Sequence, residues 1–157
     1  MILDTYTQFA DNQSVAQAAG TYNLGDVIDT GAVVRDIGMG QPLYLVITVD
    51  TEIITGGSAG TIQFQLVSDA VTTPDTSTAS KHLISPAYVT DGTDANDAEL
   101  KQGQTVWQVA LPPEGQQYER YLGVQYIVAT TTTTAGNVSA YLTFDPHGNK
   151  HYPDAVN

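Results

Sequence analysis

His147 and His151 stand four residues apart, with Asp145 close by. On a helix that spacing sets two imidazoles on one face, as a metal site requires. Pro146 and Gly148 break a helix here, and no glutamate completes an HExxH motif. The pair therefore reads as solvated histidines of a C-terminal tail. His82 has no nucleophile near it in sequence, and no GxSxG elbow is present. The run Gly56-Gly57-Ser58-Ala59-Gly60-Thr61 has the glycines of a phosphate loop. Such a loop also needs a lysine and a helix N-terminus to hold the phosphates. This run has no lysine, and strand-like periodicity follows it. The acids Asp91, Asp94, Asp97 and Glu99 offer closely spaced oxygens of the kind calcium takes. Gly92 falls too early for an EF-hand, so a solvated acidic loop is the better reading. A glycosidase pair needs two acids about 5–10 Å apart across a cleft, which no spacing in the chain specifies. Trp107, Tyr121 and Tyr126 would suit a sugar groove, but aromatics in apolar strands usually pack as core. The expectation is a protein without catalytic residues, cofactor or metal.

The elements that would carry these residues are strands. In Thr61-Ile62-Gln63-Phe64-Gln65-Leu66, the apolar residues alternate with polar ones, the period of a half-buried strand. From residue 137 to 144, Val138, Ala140, Leu142 and Phe144 point one way, and Ser139, Tyr141 and Thr143 the other. Residues 43–49 are apolar on both faces except at Thr48, which predicts a central strand. Residues 106–111 and 121–129 read similarly. Weaker strand signals lie at 25–29 and 78–84. Breakers separate these runs: Gly56-Gly57-Ser58-Ala59-Gly60, Asp91-Gly92-Thr93-Asp94, Pro112-Pro113-Glu114-Gly115, and a hairpin tip at 130–136. Helix signals are poor. Ser14 to Ala19 suits a short turn, stopped by Gly20. Many short strands with regular turns imply an all-β sandwich or jelly roll. The expected division is an N-terminal arm over 1–13, one jelly-roll domain over 14–145, and a tail over 146–157.

Composition narrows the partners. The 157 residues suit one domain with a real core. Cysteine is absent, so no disulfide framework or thiolate metal site exists, in keeping with a reducing cytoplasm. Seventeen Asp and Glu face five Lys and Arg, a formal net charge of -12. Nucleic-acid backbones and anionic membranes repel such a surface, and the charge favours solubility. Met1-Ile2-Leu3-Asp4 opens with an acid where a signal peptide carries Lys or Arg. No apolar run approaches the ~20 residues of a spanning helix. Any route to a surface is expected to be assembly.

Four segments, in order along most of the chain, resemble the Bbp16-type capsid cement proteins of tailed phages. They are Met1-Ile2-Leu3-Asp4-Thr5; the RDIG and GxPLY run from Val34 through Arg35, Asp36 and Gly40 to Tyr44; Glu119-Arg120-Tyr121-Leu122-Gly123-Val124-Gln125-Tyr126, like RYLRLxY; and Thr134-Ala135-Gly136-Asn137-Val138-Ser139-Ala140, like TAGxVTA. Three features depart from the pattern. Gln41 replaces an acid before the proline, Gly123 replaces a second arginine, and the stretch 72–104 is longer and more acidic.

The resemblance implies a jelly roll, a homo-oligomer (a dimer ahead of a trimer) on the outside of an icosahedral shell, and the major capsid protein as partner. It implies a protein made in the host cytoplasm that clamps neighbouring capsid subunits. The residues marked for that interface are Ile2, Leu3, Arg35, Asp36 and Arg120. Ile2 and Leu3 form an apolar tip that is costly to leave in water. Arg35 either braces a turn or reaches a partner carboxylate. The runner-up reading is a carbohydrate-binding virion module on the same scaffold.

Overall fold

The computed structural model of the protein describes residues 5–31, 40–92, 98–113 and 117–146. Its strands are β1 (Gln8–Ser14), β2 (Gly20–Asn23), β3 (Ile28–Asp29), β4 (Tyr44–Thr55), β5 (Gly60–Asp69), β6 (Ser80–Ile84), β7 (Tyr88–Thr90), β8 (Thr105–Ala110), β9 (Tyr121–Ala129) and β10 (Thr133–Thr143). Single 3-10 turns lie at Thr5–Thr7 and Ala98–Leu100. There is no α-helix among the described residues.

The strands form two antiparallel sheets packed face to face. One has the order β1-β10-β4-β8, the other β2-β9-β5-β6. β3 continues beside β9, and β7 beside β5. Six of the nine connections cross from one sheet to the other, giving the two Greek keys of a jelly roll. The expected fold class is therefore the observed one.

Alternation sets the inner faces. On β5, Ile62, Phe64 and Leu66 are fully buried and pair with Val128, Tyr126 and Val124 of β9. Across the core, Leu45, Ile47 and Val49 of β4 pair with Leu142, Ala140 and Val138 of β10. These residues, with Phe9, Leu24 and Leu122, form one apolar cluster. Each fully buried large aliphatic side chain contributes about 1.5–3 kcal/mol.

Central strands match the sequence reading best. β4 lies between β10 and β8, and β9 between β2 and β5. β8 differs: its apolar residues predict a strand covered on both faces, but it forms an edge, with Gln108 and Ala110 exposed. Phe144 also differs. It follows the last residue of β10 and is 60% exposed. Residues 25–29 hold only the two-residue β3, and 14–19 hold no helical turn. The arm expected over 1–13 gives way to β1 from Gln8 onward. This strand pairs with β10 through two register shifts and buries only Phe9 and Ala10, so its period is hidden. Residues 1–4 and most of the expected tail (147–157) lie outside the described residues.

The stretch 70–79 folds onto the outer face of the second sheet. Beneath it runs a buried amide ladder. Gln65 Nε2 donates to Gln125 Oε1 at 2.7 Å, and Gln125 Nε2 donates to Asn23 Oδ1 at 2.9 Å. Asn23 Nδ2 donates to the Pro74 carbonyl at 3.0 Å. Asp75 fixes the loop by accepting bonds from the Ser77 amide and hydroxyl and the Thr78 amide. The Ser77 hydroxyl bond, then those amide bonds, hold its carboxyl down at about 2. A Cβ on Gly123 would lie 3.2 Å from Pro74 Cγ. The loop thus occupies the room that a side chain at position 123 would need.

Gly136, in the TAGxVTA-like segment, has φ +139° at a register shift of β10 against β4. A Cβ there would meet Ile53 Cγ1 at 2.8 Å and Ile53 Cα at 2.9 Å. Gly136→Ala is expected to cost roughly 1–3 kcal/mol through strain and overpacking. Urea unfolding checks this, and an unchanged midpoint would contradict the packing described.

Candidate interaction surface

Arg120 is the one expected interface residue within the described residues. Ile2, Leu3, Arg35 and Asp36 lie outside them. Arg120 precedes β9, and its carbonyl accepts bonds from the Thr30 amide at 2.9 Å and the Thr30 hydroxyl at 2.8 Å. Its guanidinium forks onto Asp29 of β3, with Nε to Oδ1 at 2.9 Å and Nη2 to Oδ2 at 2.8 Å. It also lies 4.9 Å from the ring centroid of Tyr121. Both charged side chains stay almost half exposed. The Arg120 bond, reinforced by the Gly31 amide, lowers the Asp29 carboxyl to about 2. The same bond raises Arg120 above its ordinary value. Arg120 thus ties β3 to the start of β9 and leaves a charged fork at the surface.

Asp29 stands at the rim of an open groove of about 1080 Å³. The groove lies between the two edge strands β1 and β2–β3. Phe9, Ala10, Val27 and Ile28 supply apolar lining; Gln8, Asp11, Gln13, Asn23 and Asp26 supply polar lining. A backbone bond closes one point of its floor, from the Asp26 amide to the Phe9 carbonyl at 2.7 Å. That approach requires Gly25, whose φ is +64° and whose Cβ would stand 2.1 Å from the Phe9 oxygen. Tyr6 lines one end and is 86% exposed. Phe144 is exposed where β10 ends, the end that pairs with the start of β1. No lysine or arginine lies among the described lining residues.

The other sequence candidates separate. Tyr126 faces the core and stacks on Tyr22, with centroids 5.4 Å apart. Trp107, on the opposite sheet, packs against the same core. Tyr121, an odd number of residues from Tyr126 on one strand, faces outward beside Arg120. They do not line one sugar groove. The run 56–60 is the turn between β4 and β5, where the Thr55 hydroxyl donates to the Ser58 carbonyl at 3.0 Å. Of the acidic loop, Asp94 and Asp97 lie outside the described residues, as do His147 and His151.

One pairing was not visible in the sequence. A register shift of β6 against β5 brings His82 Nε2 within 2.7 Å of Ser68 Oγ. Ser68 Oγ also accepts the Glu119 amide at 2.9 Å. The Tyr118 ring stacks on His82 at 4.1 Å, and burial pushes the Tyr118 hydroxyl up to about 12. It therefore stays protonated and donates to the Pro112 carbonyl. Ser68 has no solvent exposure. The cluster braces β5, β6 and the entry to β9 rather than presenting a nucleophile. Fourteen residues separate Ser68 from His82, and only the sheet register joins them.

The family model described as Bbp16 matches residues 9–142. None of the curated proteins compared matches the chain.

The Asp29 carboxyl is depressed in the folded state, so its stabilising effect is present above the unfolded value of about 3.9 and lost as pH falls toward 2. Urea midpoints of the native chain and of Asp29→Asn should therefore differ most above pH about 4 and converge near pH 2. A difference that is independent of pH would contradict the ion pair.

Proposed function

Because the chain belongs to the Bbp16 family, a phage-associated family, we propose that it is a structural virion protein: a cement protein that binds the outside of the icosahedral shell and stabilises contacts between major capsid subunits. The observation that carries this reading is the extent of the family match. Residues 9–142 run from β1 to β10 and take in almost the whole jelly roll.

The physical character of the chain suits the role. A clamp needs a rigid frame that keeps its shape before and after docking. The long central strands β4, β5, β9 and β10, sharing one core, supply it. The net charge of -12 keeps unbound copies soluble and apart from nucleic acid. Binding only the assembled shell stabilises that state by mass action. Many identical seams multiply a modest contact, and a homo-oligomer, with a dimer favoured, would bridge two subunits at once. The partner is the major capsid protein, and the site is the outer surface of the virion.

Shells that lack this protein should burst at lower temperature than shells that carry it, and adding back the purified chain should restore the difference. Thermal release of DNA, followed by dye fluorescence, checks this. Equal heat resistance with and without the chain would defeat the proposal.

A further inference from the structure

We propose that the groove between β1 and β2–β3 receives an extended, lysine- or arginine-bearing segment of the partner protein. The inference rests on the cement reading for the identity of that partner, and names the surface and the chemistry by which it is held.

The groove is an open edge of the sandwich. β1 ends one sheet and β2–β3 end the other, and among the described residues no strand covers either. β1 is seven residues long, a run of roughly 23 Å at about 3.3 Å per residue. An extended segment of six or seven residues fits that length. An extended segment also leaves its backbone N–H and C=O groups free for side chains of the groove, whereas a helix bonds its own.

Regular strand addition is blocked. β1 is bulged between Gln8 and Ala10 and again between Ala10 and Gln13, and Asn12 has φ +50°. Such irregularity is how edge strands avoid indiscriminate pairing. Recognition therefore falls to side chains. Gln8 and Gln13 can bond to a guest backbone through their amides. Asp11 and Asp26 are exposed, and neither carboxylate has an ion-pair partner among the described residues. The described lining carries Asp11, Asp26 and Asp29 and no lysine or arginine; Arg120 pairs with Asp29 at the rim, which leaves Asp11 and Asp26 as the uncompensated charges of the groove. Its complement is a segment that alternates cationic and apolar side chains, the cations beside Asp11 and Asp26 and the apolar groups toward the half-buried Val27 and Ile28. Tyr6, at one end, is placed to cover an apolar guest side chain.

The test uses the whole chain and a synthetic peptide of about eight residues that alternates lysine and valine. Fluorescence anisotropy at about 0.1 M salt limits attraction beyond about 10 Å. The native chain should bind the peptide. Asp11→Asn with Asp26→Asn should weaken binding at least about tenfold, or about 1.4 kcal/mol. Asp91→Asn with Glu99→Gln removes the same charge elsewhere and should leave binding within about twofold. All three proteins are first matched for their urea midpoints. Absence of binding to the native chain, or equal loss in both double variants, would overturn the proposal.

The same proteins are then added to bare shells. If the native chain binds shells and the Asp11/Asp26 variant binds equally well, the groove assignment fails while the cement function stands. If the native chain does not bind shells, the cement function fails, and the peptide result alone decides what the groove accepts.

Discussion

Phe64 and Ile62 on one sheet, and Ile47 and Leu45 on the other, stay dry only while both sheets are present. Neither sheet has enough apolar surface to fold alone, since an isolated antiparallel sheet leaves its inner face in water. The chain solves this by crossing between the layers at six of its nine connections. Each crossing delivers one strand to the opposite sheet, so the last strand, β10, pairs with both the first and the fourth. The fold is therefore closed by contacts far apart in sequence. Gly136 is one tight point of that closure: β10 rests on Ile53 with no space for a methyl group.

A sandwich with a dry interior still has edges, and these differ. On the β6–β7 and β8 side, Tyr88 reaches across to donate to the Val106 carbonyl at 2.7 Å, and Leu100 fills the gap beneath. On the β1 and β2–β3 side, the backbone bond from the Asp26 amide to the Phe9 carbonyl pins the two sheets, and a groove remains. Its rim carries acids, and the Arg120–Asp29 fork stands beside it. An acidic surface with an irregular edge resists pairing with copies of itself, because like charges repel and bulges break the ladder. It remains open to a partner of opposite charge. In the proposed role, the acidic residues that keep free copies apart are the same ones that would select a cationic partner.

Much of this architecture was legible from alternation. β5 and β9 declare themselves because their apolar residues recur at period two or fill both faces. The polar run of β1 hid its strand, because an edge strand with two bulges buries only Phe9 and Ala10. β2 and β7 were hidden for a related reason, being short and packed on one side only. Gln65 looked like a solvent-facing residue, and its burial depends on a loop that returns from residues 70–79. The Ser68–His82 contact and the Arg120–Asp29 fork join residues 14 and 91 positions apart, a distance that no local pattern spans. Resemblance pointed to Arg120 as a surface residue of interest, but register alone revealed its partner. The packing of Pro74 against Gly123 joins residues 49 positions apart and is likewise invisible to local pattern.

Quantitative mass spectrometry of purified particles from the source phage tests the central claim most directly. A shell component bound at repeated seams must be present at a copy number comparable with that of the major shell protein. That is the predicted result. Absence of the chain from particles, or its presence in only a few copies, would contradict the account and point to a role away from the shell.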